Sequence, residues 1–296
     1  MPFAIVSLVA LVLQASAVQT AAPSYVPQRV YDTRGNAFTD FESMVADLSR
    51  ADVILVGEQH DDPNTHRLEL AILEGLHRRG VAVALSLEMF ERDAQGSLDA
   101  FLSGAKSEEA FLKEARPWPR YATDYRPLID FAKNHGWPVV AANVPRRHAS
   151  EVAKRGIQAV DQLSTSERPS AAKEFECPRD TYFDKFAAAM AEHSMPGSDK
   201  LTEEEKRLRT DRYYESQCLK DETMAESIAA VEGRRVVHVN GAFHSDFGLG
   251  TAERTRRRLP GRRVVVVSIL PVADLNALAP GERDLKRADY LVYTIK

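Results

Sequence analysis

Four side chains in this 296-residue sequence have the types and spacing of a metal or acid–base centre: Glu58, His60, Glu88 and His244. The pattern G-x-x-H occurs twice, as Gly57-Glu58-Gln59-His60 and Gly241-Ala242-Phe243-His244, and each copy directly follows an apolar run. Glu88 ends a third run that is otherwise nearly all apolar. A carboxylate in such a place needs a partner, because an unpaired buried charge is costly. Two imidazoles and a carboxylate make a three-ligand set for a divalent metal such as zinc or manganese, with one position open. On that reading His60, Glu88 and His244 bind the metal, and Glu58 holds a water as general base or orients an imidazole. Each glycine would let the backbone turn sharply at the strand end. The bland alternative is that these residues only satisfy loop backbone, as lone histidines such as His66, His77 and His135 are expected to do.

The elements that must position them are legible as six runs rich in Val, Ile and Leu, at 52–58, 81–90, 138–144, 235–241, 263–270 and 290–295. Continuous rather than alternating apolarity marks strands covered on both faces. Helical patterns separate the runs; "PNTHRLELAILEGLHRRG" has Asp62 as N-cap, Pro63 at the first helical position and Gly80 past its end. The alternation predicts an α/β fold with a mostly parallel sheet flanked by helices. In such sheets ligands bind outside the carboxyl ends of the strands. Polar residues stand there after four runs: Glu58 and His60, Glu88, Asn143 followed by Arg146, and His244. Residues 160–232, between the third and fourth runs, read as a helical insertion, with "HSMPGSDK" as a turn or loop.

Composition narrows the function. A net charge of −4 argues against nucleic-acid binding. No G-x-S-x-G elbow is present, and Glu253 replaces the third glycine of a dinucleotide fingerprint in "FGLGTAER". Phe3 to Leu13 form an apolar run followed by Ala15-Ser16-Ala17, the small-x-small form of a cleavage site. No basic residue precedes Arg29, yet the run is too short to span a bilayer comfortably as a helix. Residues 1–22 are therefore expected to be a signal peptide and leader, and 23–296 a single α/β domain in the periplasm or envelope. No lipobox cysteine follows the run. An oxidising compartment would allow Cys177 and Cys218 to pair, and two separate thiols is the alternative.

"ILVGEQHDDPNTHRLELAILEGL", "SLEMFERDAQ", "YRPLIDFAKNHGWPVVAANVPR", "YYESQCLKDETMAESI" and "VVHVNGAFHSDFGLG" together resemble the ChaN-like haem-binding uptake proteins. These share a superfamily with the Tiki and TraB proteins and the erythromycin esterases. The resemblance implies haem held in a homodimer with a tyrosine on iron, in bacterial iron acquisition at the envelope. It also implies, from the Tiki branch, a metal-dependent peptidase centre matching His60, Glu88 and His244, with Arg146 as basic companion. Haem needs an apolar slot, an axial ligand and cations for its propionates. Tyr182, Tyr213, Tyr214 and His193 are the candidates for binding it, with Met190 and Met195 nearby and Arg146 as a cation. The expectation is an exported haem-binding homodimer that meets envelope uptake machinery. The alternatives are a divalent-metal hydrolase of peptides or esters, with Glu58 as base and Arg146 stabilising the oxyanion, and a scaffold that only keeps the motif.

Overall fold

The computed structural model describes residues 26–192 and 201–296; the leader at 1–22, His193 and Met195 lie outside the described residues. Eight strands form one sheet: β1 (Gln28–Asp32), β2 (Ala37–Thr39), β3 (Val53–Glu58), β4 (Val83–Glu91), β5 (Val139–Asn143), β6 (Arg235–Gly241), β7 (Val264–Val272) and β8 (Tyr290–Ile295). Their order is β2-β1-β8-β7-β3-β6-β4-β5. The six strands β3 to β8 are the six apolar runs, and every pairing among them is parallel. Only β1 and β2, at one edge, pair antiparallel.

The helices are α1 (Phe41–Leu48), α2 (Pro63–Arg78), α3 (Gln95–Leu102), α4 (Glu108–Ala115), α5 (Tyr121–Asp124), α6 (Arg126–Asn134), α7 (Arg146–Arg155), α8 (Thr181–Glu192), α9 (Glu203–Ala229), α10 (Thr251–Arg258) and α11 (Glu282–Leu285). The start of α2 follows the sequence: Pro63 opens it, and the Asp62 carboxylate accepts from the amides of Asn64 and Thr65. Between β5 and β6 the chain is largely helical, dominated by the 27-residue α9.

All six residues of β3 are buried, and alternate ones face opposite layers. Ile54 and Val56 pack with Leu68, Ile72 and Leu76 of α2. Val53 and Leu55 pack with Ile228 of α9 and Ala252 of α10. Each such side chain contributes about 1.5–3 kcal/mol on full burial, which explains why β3 contains no polar side chain before Glu58.

Register then decides the site. Gly57 lies beside Asn240 and Glu58 beside Gly241, so the two G-x-x-H motifs leave neighbouring strands at one level. β4 flanks β6 on its other side, with Leu87 beside Val239. The first, fourth and second runs are thus adjacent, and their carboxyl ends open together.

Cys177 and Cys218 form a disulfide with a Cα–Cα distance of 5.6 Å, tying the segment before α8 to α9. The bridge spans a sequence separation of 41 residues. Reduction, or the paired change Cys177→Ser with Cys218→Ser, should lower unfolding stability by about 2–4 kcal/mol. Urea denaturation with and without reductant checks this; coincident curves would contradict it.

Candidate functional site

The motif glycines are set by close approach rather than by turning. Gly241 has φ −54° and ψ 133°, which any residue adopts. A β-carbon there would lie 2.7 Å from His60 Nε2 and 3.6 Å from Glu88 Oε2. At Gly57 it would meet Ala242 Cα at 3.0 Å. The two motifs therefore pack against each other, and His60 lies over the end of β6.

Glu88 is buried and accepts a hydrogen bond from the Gly241 amide at 2.7 Å. Its other oxygen is 3.3 Å from His244 Nε2. Burial alone would raise the Glu88 carboxyl; the charge and hydrogen bond of His244, with His60 and the Gly241 amide, more than offset this and hold it well below the usual range. His244 Nδ1 is 2.7 Å from Asp221 Oδ1 on α9. Burial pulls the imidazole down, but Glu88 and Asp221 win and push it up to about 10. Asp221 also accepts from Thr251 at 2.7 Å and from the Tyr182 hydroxyl at 2.8 Å. Gln217, one turn before Asp221, lies 3.1 Å from the Tyr182 hydroxyl and 3.2 Å from His244 Nδ1.

Glu58 faces two ways. Its Oε1 bonds His60 Nδ1 and accepts from the Tyr125 hydroxyl at 2.9 Å. Its Oε2 is 3.6 Å from His66 Nδ1, which lies 3.2 Å from Glu69. His60 is half-exposed and packs edge-on to Trp118. Burial lowers its pKa, but the Glu58 bond and the charges of Glu88 and Glu58 raise it overall.

Glu58, His60, Tyr182, Gln217 and His244 line a cavity of about 950 Å³ between the strand ends and α8. Phe186, Met190, Phe243 and Leu249 give it apolar walls, and Lys185, Arg283 and Arg287 supply cations. Phe247, at a left-handed φ of 63°, presents its ring to Lys185 Nζ at 3.7 Å.

The structure pairs Glu88 directly with His244 and bonds Glu58 to His60, but among the described residues the three donors whose ligand atoms lie within 4.8 Å of one another are Glu58, His66 and Glu69 rather than His60, Glu88 and His244. It separates the other candidates. Tyr182 lines the cavity, whereas Tyr214 is buried behind it and donates to Pro178 O at 2.8 Å. Tyr213 and Arg146 are not among the lining residues, and Arg146 is exposed at the start of α7. His66 lies in α2, within the helical pattern of the sequence, but it is buried there beside Glu58, Glu69 and Asp124. Sequence reasoning missed Asp221, Gln217 and Tyr125. For Asp221 and Gln217 the available signal was their i, i+4 spacing, which puts both on one face of a helix.

The His244 pairing carries a pH signature. A histidine raised from 6.5 to about 10 contributes stability that is full below pH 6.5 and lost as pH rises through about 10. His244→Gln should cost about 3–5 kcal/mol near neutrality, since Glu88 and Asp221 then lose their cation. The gap between wild type and variant should shrink from pH 6.5 to 10, measured by denaturation in that range. A constant gap would contradict the charged pairing.

Residues 44–255 match the family described as haem-binding uptake, Tiki superfamily, ChaN. A plant protein of Arabidopsis thaliana, RETICULATA-RELATED 5, chloroplastic, is 26% identical over 241 residues. That match covers 76% of this chain and 32% of the relative, so the chain spans about a third of the plant protein's length. Among solved structures, ChaN of Campylobacter jejuni, described with cofacial haem binding, superposes with a TM-score of 0.66 at 20% identity, covering 91% of this chain and 97% of that one. A Bacillus cereus protein gives 0.49 at 10% identity, covering 87% and 92%. With nearly three-quarters of its length matched, and the matched stretch containing the strands that carry both histidine motifs and Glu88, this chain belongs to the ChaN family of haem-binding uptake proteins in the Tiki superfamily.

Proposed function

We propose that the cavity at the strand ends binds haem and that the protein serves haem uptake or trafficking outside the cytoplasm, as a homodimer. The observation that carries this reading is the cavity's composition: one buried tyrosine, apolar walls, and Lys185, Arg283 and Arg287 among the carboxylates Asp184, Glu192 and Asp246, in about 950 Å³. That volume lies within the roughly 300–1,000 Å³ of small-molecule sites. Phe186, Phe243 and Met190 would cover the porphyrin faces, and Lys185, Arg283 and Arg287 would take the propionates. Bound haem supplies an iron that accepts an oxygen or nitrogen ligand. Tyr182 is the tyrosine suited to that role. Its hydroxyl donates to Asp221, and burial with the Asp221 charge holds the phenol well above its usual range, so ligation would require that proton to leave toward the carboxylate while Gln217, at 3.1 Å, donates to the oxygen. The disulfide supports an oxidising compartment and therefore export. Phe243, 37% exposed on the cavity wall, supplies apolar surface suited to a second copy.

A second reading rests on a separate observation, the 3.3 Å approach of His244 to Glu88, with His60 packed over Gly241 beside them. Those three residues would hold a divalent ion, with Glu58 as base, in a hydrolase of peptides or esters.

Haemin titration followed at the Soret band should show saturable binding. Tyr182→Phe should weaken it at least about tenfold, roughly 1.4 kcal/mol, while His60→Ala leaves it within a few-fold. No saturable Soret change in the wild type would reject the haem reading. Stoichiometric zinc or manganese lost in both His60→Ala and His244→Ala would favour the hydrolase.

A further inference from the structure

On the side of Glu58 turned away from the cavity, β3, α2 and α5 enclose donors that the haem reading does not use. Glu58, His66 and Glu69 are 1%, 4% and 1% exposed. Each offers a ligand atom, and these atoms all lie within 4.8 Å of one another. His66 Nδ1 is 3.6 Å from Glu58 Oε2 and 3.2 Å from Glu69 Oε2. Donors held about 2.0–2.2 Å from one tetrahedral ion stand about 3.3–3.6 Å apart; the Glu58–His66 separation lies at the edge of that range, and the 3.2 Å His66–Glu69 contact is a hydrogen bond that an ion would replace. His66 and Glu69 occupy i and i+3 on α2, which puts both on the face that packs over the end of β3.

A second observation is independent of that spacing. Glu58 Oε2 and Glu69 Oε1 are fully buried and have no hydrogen-bond partner. Buried carboxylate oxygens are normally satisfied, and leaving them bare is expensive. Asp124 adds a third buried carboxylate, 3.4 Å from His66 Nε2. One imidazole cannot balance three carboxylates. Arg120 reaches only Asp124, at 2.8 Å, from the exposed side.

We propose that Glu58, His66 and Glu69 bind one divalent first-row cation of the manganese or zinc class, beneath the cavity. An imidazole with two carboxylates favours these ions over calcium or magnesium, which take mainly oxygen ligands. The site is distinct from the His60, Glu88 and His244 set. It leaves Glu58 Oε1 to His60 and Tyr125, so it is compatible with a ligand in the cavity. The rival occupant is a proton shared between Glu58 and Glu69, since burial and the neighbouring carboxylates push Glu69 well above the usual carboxylate range.

Chelator-stripped protein is dialysed against manganese or zinc, and bound metal is counted by mass spectrometry alongside a thermal melt. The wild type should hold one equivalent and melt higher with it. His244→Ala should keep the equivalent. Glu69→Gln, which preserves shape, should lose it, as should His66→Gln if the first variant fails to fold. A wild type that retains no equivalent overturns the proposal in favour of the shared proton. An equivalent lost in His244→Ala but kept in Glu69→Gln overturns it in favour of a cavity metal. Haemin binding, read separately at the Soret band, tests the haem reading and not this one.

Discussion

The carboxylate of Glu88 is the charge around which the strand ends are arranged. It sits buried in β4, just past the last residue paired with β6, where solvent cannot stabilise it, and it takes the Gly241 amide on one oxygen and His244 on the other. Both partners come from the same motif on the adjacent β6. A side chain at position 241 would displace His60, so the glycine that donates to Glu88 also admits the second histidine. His244 in turn needs Asp221, because a buried imidazolium is stabilised by charge on both sides. Through Asp221 the ordering reaches Tyr182 and Thr251, so the sheet end, α9, α8 and α10 share one polar network.

That network explains why the cavity wall is helical and covalently tied. Asp221, Gln217 and Cys218 sit within two turns of α9, facing the strand ends and α8. The Cys177–Cys218 bridge anchors the chain shortly before Tyr182, and Tyr214 fills the space behind it through ring contacts with Tyr182 and Phe183. A single tyrosine hydroxyl is thereby presented beside an apolar wall, rather than three competing ones. The tyrosine-rich composition of this stretch alone could not make that distinction.

What the sequence revealed follows from where each residue is buried. Strands covered on both faces must be apolar throughout, so β3 to β8 stand out as continuous runs. β2 is an edge strand and β1 its neighbour; both are short and partly exposed, and carry no such mark. The histidine motifs are legible because they interrupt apolar runs abruptly. Asp221 and Gln217 are not, because a polar residue in a charged helix looks like a solvated face until the helix is placed against the sheet. The motif glycines stand out in the sequence as turn formers, yet contact between two strand ends requires them, whereas their backbone angles do not. His66 shows the converse error. In the sequence it resembles an ordinary helix-start histidine, and the packing of α2 over β3 buries it among carboxylates.

Glu58 marks the boundary between two environments. Its Oε1 belongs to the cavity, where His60 and Tyr125 fix its direction. Its Oε2 belongs to the interior, where it finds His66 at 3.6 Å and no hydrogen bond. A carboxylate held on one side and unsatisfied on the other transmits charge across that boundary, since whatever neutralises the inner oxygen weakens the pull of the outer one on His60. The imidazole that overlies Gly241 is therefore tied to the buried cluster twice, through Glu58 and through its own carbonyl, which lies 3.3 Å from His66 Nε2.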